Sequence, residues 1–175
     1  MNLILLIGVP SSGKTTLYKR LITSKTVYKF GLIKFHKELD YWVIGDYSED
    51  MEFSGTDRLS MASPRDLFKF LLFAKKQIKN IYIEGDRLIT STMISKLSEF
   101  GFTYKLFYLS ITDETLSLRQ ESRNQNKTFV TGRATKIKNI IDTFPHYVLL
   151  SDSVSNIEEN FLKLKDCSYD KVNHE

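Results

Sequence analysis

Residues 8–15 of this chain, Gly-Val-Pro-Ser-Ser-Gly-Lys-Thr, fit the pattern G-x-x-x-x-G-K-[ST]. The two glycines, Gly8 and Gly13, allow a tight turn that brings backbone N–H groups close to an anion. The lysine, Lys14, can reach the β- and γ-phosphates of a nucleotide, and the hydroxyl of Thr15 can bind Mg²⁺. The pattern therefore predicts a loop that binds ATP through its phosphates. We expect the following residues to contact ATP: Gly8, Ser11, Ser12, Gly13, Lys14, Thr15 and Thr16.

Two carboxylates follow a short apolar run later in the chain. Glu84 and Asp86 stand in Ile-Glu-Gly-Asp-Arg, residues 83–87. A carboxylate at the end of a strand beside the phosphate loop can hold the Mg²⁺ that accompanies ATP. The sequence favours Asp86 for this role and leaves Glu84 open. We assign the adjacent Arg87 to substrate binding.

The segment from residue 119 to residue 138 is strongly basic. It contains six basic residues and one acidic residue, so its net charge exceeds the +4 of the whole chain. Arg119 and Arg123 are four apart and share one face of a helix, which predicts a mobile lid whose arginines neutralise charge during phosphoryl transfer. We assign Arg133 and Lys136 to substrate binding. Contact with nucleic-acid phosphates and a solvated basic helix remain alternative interpretations.

The apolar pattern predicts the elements that must position these side chains. Short apolar runs predict six strands: Leu3–Ile7, Leu32–His36, Tyr41–Ile44, Ile81–Glu84, Tyr104–Leu109 and Tyr147–Leu150. Helical spacing predicts six helices: Lys14–Ser24, Pro64–Ile78, Ser91–Phe100, Asp113–Asn124, Thr135–Phe144 and Ser153–Lys165. The helix from Pro64 has the clearest start signal, because Ser63 is its predicted N-cap and Asp66 lies in its first turn. Gly132 is predicted to mark a turn.

Strands that are separated by helices predict a parallel sheet with helices on both faces. Two strands in close succession, near residues 32–45, predict a hairpin added to that sheet. We therefore expect one α/β domain spanning residues 1–175, with three layers and a basic lid near residues 119–138. Ligands of such sheets bind beyond the carboxyl ends of the strands.

Composition narrows the classes of protein further. The chain is 42% hydrophobic and 26% charged, as soluble globular proteins are, and its pI near 9.0 suits a polyanionic partner. A single cysteine, Cys167, excludes an internal disulfide framework and predicts a reducing cytoplasm. No run approaches the roughly 20 apolar residues of a membrane span. The histidines, His36, His146 and His174, are assigned no chemistry.

The class of nucleotide-binding protein follows from motifs that are missing. A GTPase switch needs N-K-x-D and D-x-x-G, but residues 126–129 are Asn-Lys-Thr-Phe and D-x-x-G does not occur. A motor or oligomeric ATPase needs more chain for sensors and contacts. A short domain with a phosphate loop, a second carboxylate motif and paired arginines fits a small kinase, which transfers phosphoryl to an acceptor.

Four further segments carry a resemblance to a known group. Residues 44–47 (IGDY), 53–62 (FSGTDRLSMA), 83–88 (IEGDRL) and 132–140 (GRATKIKNI) resemble segments of phage-encoded P-loop kinases. This group includes the 5-hydroxymethyluracil DNA kinases of thymine hypermodification. The similarity implies a P-loop kinase fold, ATP with Mg²⁺, and an acceptor hydroxymethyl group on 5-hydroxymethyluracil in DNA. It also implies the host cytoplasm as the location.

The segment after the hairpin must supply the acceptor side of such a site. We expect a carboxylate there to take the acceptor's proton, and we prefer Asp57 to Asp46 because Gly55 allows a close approach. Residues assigned to substrate binding are Asp46, Tyr47 and Arg58. Residues that could stack on an extruded base are Tyr41, Trp42 and Tyr47, with ordinary sheet core as the alternative, which is favoured for Trp42. A deoxynucleoside monophosphate kinase, a polynucleotide 5′-hydroxyl kinase and a non-catalytic ATP-binding module remain open alternatives.

Overall fold

The computed structural model describes residues 1–48, 54–121 and 127–166, without the side chains of residues 127–129. The strands are β1 (Asn2–Ile7), β2 (Tyr28–Phe30), β3 (Ile33–Lys37), β4 (Tyr41–Ile44), β5 (Asn80–Glu84), β6 (Thr103–Ser110) and β7 (Tyr147–Leu150). The helices are α1 (Lys14–Lys19), α2 (Pro64–Ala74), α3 (Ser91–Glu99), α4 (Asp113–Glu121), α5 (Lys127–Thr143) and α6 (Val154–Asp166). A short 3-10 helix, Thr56–Arg58, precedes α2.

The seven strands form one mostly parallel sheet in the order β2-β3-β4-β5-β1-β6-β7. β1 lies between β5 and β6 and is parallel to both, while β4 and β7 extend the parallel part on either side. The strand pairs β2–β3 and β3–β4 are antiparallel, and the second of them confirms the predicted hairpin. The carboxyl ends of five strands consequently meet at a single edge of the sheet.

Helices cover both faces of this sheet because the strands are apolar on both faces. On one face, Leu17 and Tyr18 of α1 and Leu164 of α6 pack against Ile4, Leu6 and other strand residues. On the other face, residues such as Phe70 of α2, Leu97 of α3 and Ile140 of α5 pack against the remaining strand side chains. The protein is thus α/β, with a sheet between two helical layers. Among the described residues, no helix is both long and apolar enough to cross a membrane.

All six predicted strands are confirmed to within one residue at each end. The additional strand β2 was not predicted, because three residues are too few to show a period of two. Its turn to β3 contains Gly31 at φ 56°, and Tyr28 pairs with Phe35. Three predicted helices are longer than the observed ones: the predicted Lys14–Ser24, Pro64–Ile78 and Ser91–Phe100 end at Lys19, Ala74 and Glu99. The predicted end of α4, at Asn124, lies outside the described residues.

Two local expectations are corrected. Gly132 does not mark a turn: it lies within α5, which begins at Lys127 instead of Thr135. An exposed glycine only weakens a helix, and the buried face formed by Ile137 and Ile140 compensates. Ser63 does not cap α2 with its side chain, because its hydroxyl donates instead to the carbonyl of Leu32 at 3.2 Å.

Candidate nucleotide and acceptor site

The carboxyl edge of the sheet gathers most of the predicted site residues. The glycine loop, residues 8–13, follows β1, and residues 85–90 follow the adjacent β5. Residues 45–48 follow β4, which is the neighbour of β5 in the sheet. Ser151 follows β7, which is the last strand on the other side of β1. Segments that are far apart in the sequence therefore converge, as expected for the ligand-binding edge of an open α/β sheet.

The glycine loop has a tightly packed backbone. A Cβ at Gly8 would lie 2.7 Å from Ser12 Oγ and 2.8 Å from the Leu109 carbonyl, so only glycine fits there. Ser11 and Gly13 adopt left-handed backbone conformations, with φ of 67° and 101°. A non-glycine residue at positive φ indicates local backbone strain, which is common in ligand-binding loops.

Lys14 extends along this loop. Its Nζ donates to the carbonyls of Gly8 at 2.7 Å and Val9 at 2.9 Å. Burial lowers the pKa of Lys14, and the negative charges of Glu84, Asp57 and Asp86 oppose that shift. The amino group thus lies in a sheltered position, where an anionic ligand would stabilise its charged form.

Thr15 and Glu84 contact each other. The Thr15 hydroxyl donates to Glu84 Oε1 at 3.2 Å, and the Tyr47 hydroxyl donates to the same oxygen at 2.8 Å. Burial raises the pKa of Glu84 to about 7, although the charge of Lys14 and both hydroxyl groups act in the opposite direction. The sequence favours Asp86 over Glu84 for holding Mg²⁺, whereas in the structure the carboxylate that contacts Thr15 is that of Glu84.

Asp86 belongs to a second cluster, on the side of the site formed by α5. Arg133 lies 3.0 Å from Asp86 and 3.3 Å from Asp57, so its guanidinium bridges the two carboxylates. Arg87 lies 3.6 Å from Asp57, and Lys136 donates to the Asp86 carbonyl. The structure therefore brings together five predicted site residues from three separate segments of the chain. The partial exposure of Asp57, whose side chain is 39% accessible, leaves it open to an acceptor.

Asp46 is held in a different environment. Its side chain is only 5% exposed, and it accepts hydrogen bonds from Lys34 at 2.8 Å and from the Ser48 hydroxyl at 2.7 Å. Arg58 lies 3.7 Å away. Burial raises the pKa of Asp46, but the bonds from Lys34 and Ser48 outweigh burial and lower it to about 2. So weak a base, enclosed by its partners, suits a structural role better than proton transfer, which agrees with the preference for Asp57.

Arg119 lies against the glycine loop. Its guanidinium donates to the carbonyls of Ser151 at 2.7 Å and Ser12 at 3.3 Å. The Ser151 hydroxyl also donates to the Ser12 carbonyl, at 2.6 Å. The sequence did not identify Ser151, which has no motif and gains its position only from the pairing of β7 with β6. Arg123, the second predicted lid arginine, lies outside the described residues.

The base-stacking role expected of three aromatic residues does not agree with their positions. Trp42 is 5% exposed and Tyr47 is 6% exposed, so neither ring face is accessible to a base. Tyr41 pairs with Asn80 at the start of β5, the end remote from the glycine loop, and its hydroxyl donates to the Leu21 carbonyl. Tyr41 and Trp42 therefore lie away from the site, and the hydroxyl of Tyr47 contacts Glu84.

No protein-family model matches this sequence, and comparison with curated proteins gives no match. The polar and charged groups of the site form two neighbouring halves: Lys14, Thr15 and Glu84 beside the glycine loop, and the Asp57–Arg133–Asp86 cluster beside α5.

Proposed function

We propose that this chain is an ATP-dependent P-loop kinase that phosphorylates the hydroxymethyl group of 5-hydroxymethyluracil in DNA. One observation supports the phosphoryl-transfer part above all others. The hydroxyl of Thr15, at the end of the glycine loop, lies 3.2 Å from the buried carboxylate of Glu84, while Lys14 extends along the same loop. A lysine, a hydroxyl and a strand-end carboxylate are the three groups that nucleotide kinases use on ATP and its Mg²⁺.

The residues beside the glycine loop fit Mg²⁺. This ion prefers hard oxygen ligands, and Thr15 and Glu84 supply a hydroxyl and a carboxylate. Glu84 is almost fully buried, and burial raises its pKa to about 7, so a cation placed beside it would favour its ionised form. When bound with ATP, Mg²⁺ would neutralise charge on the β- and γ-phosphates. Glu84 and Thr15 would hold it, and Lys14 would bind the phosphates.

The transfer step assigns a role to each remaining side chain. The hydroxymethyl oxygen attacks the γ-phosphorus of ATP, the bond from that phosphorus to the β–γ bridging oxygen breaks, and ADP leaves with those electrons. Asp57 accepts the hydroxyl proton as the new O–P bond forms. Arg119 and Lys14 stabilise negative charge on the transferred group. Arg133, which pairs with Asp57 and Asp86 in the structure, would bind the acceptor.

The choice of acceptor rests on two features. The first is the resemblance of the segments around Asp57, Asp86 and Arg133 to the 5-hydroxymethyluracil DNA kinases. The second is the basic character of the acceptor side, where Arg58, Arg87, Arg133 and Lys136 lie among three aspartates. A surplus of positive charge favours a polyanion such as DNA.

A panel of acceptors tests this proposal. Purified protein is incubated with ATP labelled on the γ-phosphate, with magnesium, and with four acceptors: a 5′-phosphorylated duplex containing 5-hydroxymethyluracil, the same duplex with thymine, deoxynucleoside monophosphates, and an oligonucleotide with a 5′-hydroxyl end. We expect label only in the 5-hydroxymethyluracil duplex. Label in the monophosphates or the 5′ end would overturn the acceptor assignment, and label in none of the four would favour a non-catalytic ATP-binding module.

A further inference from the structure

We propose that Tyr47 is a positioning residue for Glu84: its hydroxyl orients the carboxylate toward Thr15, so that Mg²⁺ binds with ATP more tightly. This inference rests on the proposed function and replaces the predicted role of Tyr47 in substrate binding. The contact that carries it is the hydrogen bond from the Tyr47 hydroxyl to Glu84 Oε1, at 2.8 Å. A carboxylate ligand is commonly held in this way by a neighbour that does not touch the metal.

The ring of Tyr47 is fixed between two glycines. A Cβ at Gly45 would lie 2.6 Å from one edge of the ring, and a Cβ at Gly55 would lie 2.9 Å from the other. Both glycines have positive φ, 134° and 75°, so a side chain is disfavoured at each. The ring therefore occupies a slot that exists only because both positions lack a Cβ.

The backbone around this slot is joined by reciprocal hydrogen bonds. The Asp46 N–H donates to the Gly55 carbonyl at 3.0 Å, and the Gly55 N–H donates to the Asp46 carbonyl at 2.7 Å. This pair connects the segment after β4 to the segment before the 3-10 helix. It fixes Tyr47, which follows Asp46, and brings Gly55 so close to Glu84 that a Cβ there would lie 2.2 Å from Oε1.

The backbone of Tyr47 has a further anchor in His36. The Tyr47 N–H donates to His36 Nε2 at 3.1 Å, and His36 Nδ1 lies 3.1 Å from the Ser24 carbonyl. The imidazole is fully buried, and the partners of its two nitrogens determine which of them carries the proton. Nδ1–H donates to the Ser24 carbonyl, and Nε2 accepts from the Tyr47 N–H. A histidine that the sequence assigned no chemistry thus fixes the backbone from which the Tyr47 ring extends.

Two independent constraints, the glycine slot and the His36 anchor, therefore direct one hydroxyl at one carboxylate oxygen. If Tyr47 only filled the core, its hydroxyl would not need to contact Glu84, the carboxylate that also contacts Thr15. Removing the hydroxyl while keeping the ring separates these roles, because Tyr47→Phe preserves packing against both glycines. Positioning predicts a defect that depends on magnesium, whereas packing alone predicts one that does not.

The experiment measures the ATP dissociation constant by calorimetry, once with magnesium and once with a chelator. In the wild type, the dissociation constant measured in chelator divided by the one measured in magnesium reports the contribution of Mg²⁺. We expect Tyr47→Phe to reduce that ratio by about tenfold, the lower end of the range for residues that support a metal ligand. Tyr82→Phe is the matched control, because its hydroxyl is also buried but donates to the Leu164 carbonyl at 2.8 Å. It should leave the ratio unchanged.

A second pair of variants guards against a general loss of folding. In a Glu84→Gln background, Tyr47→Phe should have little further effect on the ratio, because the carboxylate that it orients is gone. Equal ratios in the wild type and Tyr47→Phe would overturn the inference and leave the proposed function intact. A wild type that binds no ATP even with magnesium would overturn both. If Tyr47→Phe weakened ATP binding equally in chelator and in magnesium, Tyr47 would act by packing and not by orienting Glu84.

Discussion

Thr15 and Glu84 are 69 positions apart in the sequence, yet the hydroxyl of one lies 3.2 Å from the carboxylate of the other. The contact follows from the pairing of parallel strands. β1 aligns Leu6 with Glu84 of β5, so the chain that leaves β1 and turns through the glycine loop returns over the end of β5. This arrangement places a hydroxyl, a carboxylate and Lys14 around one position, and it is the basis of the proposed nucleotide site.

Glu84→Gln should make the metal-free protein more stable at alkaline pH. The Glu84 carboxyl has a pKa of about 7 in the folded protein against 4.5 for an ordinary glutamate, so the folded state binds its proton more tightly. Its stabilising effect is complete below pH 4.5 and is lost as pH rises through 7. We expect the variant to exceed the wild type by about 2–3 kcal/mol in free energy of unfolding at pH 8, and by much less at pH 5.

Denaturant unfolding at several pH values measures this difference. Glu99→Gln, on the exposed surface of α3, serves as the control for the glutamate-to-glutamine change itself. A difference between Glu84→Gln and wild type that stays constant from pH 5 to pH 8 would mean that Glu84 does not titrate as described. The same variant should lose phosphoryl transfer, so greater stability would accompany loss of function.

Gly55→Ala should be strongly destabilising, whereas Gly132→Ala should be stabilising. A Cβ at Gly55 would lie 2.2 Å from Glu84 Oε1 and would require a side chain at φ 75°. We expect a loss on the order of 2 kcal/mol in free energy of unfolding. Gly132 lies within α5 with nothing within 4 Å of its added Cβ, so alanine there should gain about 1 kcal/mol. Thermal unfolding of both variants checks the pair, and similar melting temperatures would contradict it.

Asp57→Asn and Asp46→Asn should separate catalysis from stability. Asp57 is partly exposed, so its amide variant should melt like the wild type but lose about a hundredfold or more in turnover, with acceptor binding largely kept. Asp46 is buried with Lys34 and has a pKa of about 2 against 3.8 for an ordinary aspartate, so its amide variant should lose stability above pH 3.8, and this loss should disappear as pH falls through 2. Turnover and melting temperature are measured together. Near-normal turnover in Asp57→Asn, with a loss specific to turnover in Asp46→Asn, would move the base to Asp46.

Arg119→Ala should reduce turnover by about a hundredfold while changing the melting temperature little. Its guanidinium touches the Ser12 carbonyl beside the phosphate position, and α4 has no buried residues in its described range. Arg20→Ala is a suitable control, since Arg20 pairs with Glu158 on the surface. Equal turnover in the wild type and Arg119→Ala would mean that Arg119 only supports the glycine loop and takes no part in phosphoryl transfer. Arg123→Ala should have the same direction of effect as Arg119→Ala.

The sequence predicts the fold and the glycine loop because both depend on local patterns. Apolar runs locate six strands, and the spacing of Gly8, Gly13 and Lys14 identifies the loop. It favours Asp86 over Glu84, because β5 is buried on both faces and its composition does not indicate that Glu84 lies on the face that carries α1. In the structure Glu84 shares the face of Tyr82, which packs with Tyr18 of α1.

Contacts between distant segments are the part that the sequence leaves undetermined. Ser151 reaches Ser12 because β7 pairs with β6, and Lys34 reaches Asp46 because β3 pairs with β4 in one particular register. Neither residue belongs to a motif. The burial of Tyr47 also depends on the pairing of Asp46 with Gly55, which no periodicity predicts.

Calorimetric titration of ATP into the wild type and Lys14→Ala, in the presence of magnesium, tests the central claim most directly. The Nζ of Lys14 is held at the carbonyl of Gly8 and should transfer its hydrogen bonds to the phosphates. Bonds between charged groups of this kind contribute about 1.5–3 kcal/mol, so we predict that the variant binds ATP ten- to a hundredfold more weakly with an unchanged melting temperature. Equal affinity in the two proteins, or no binding by the wild type, would contradict a nucleotide site in this loop.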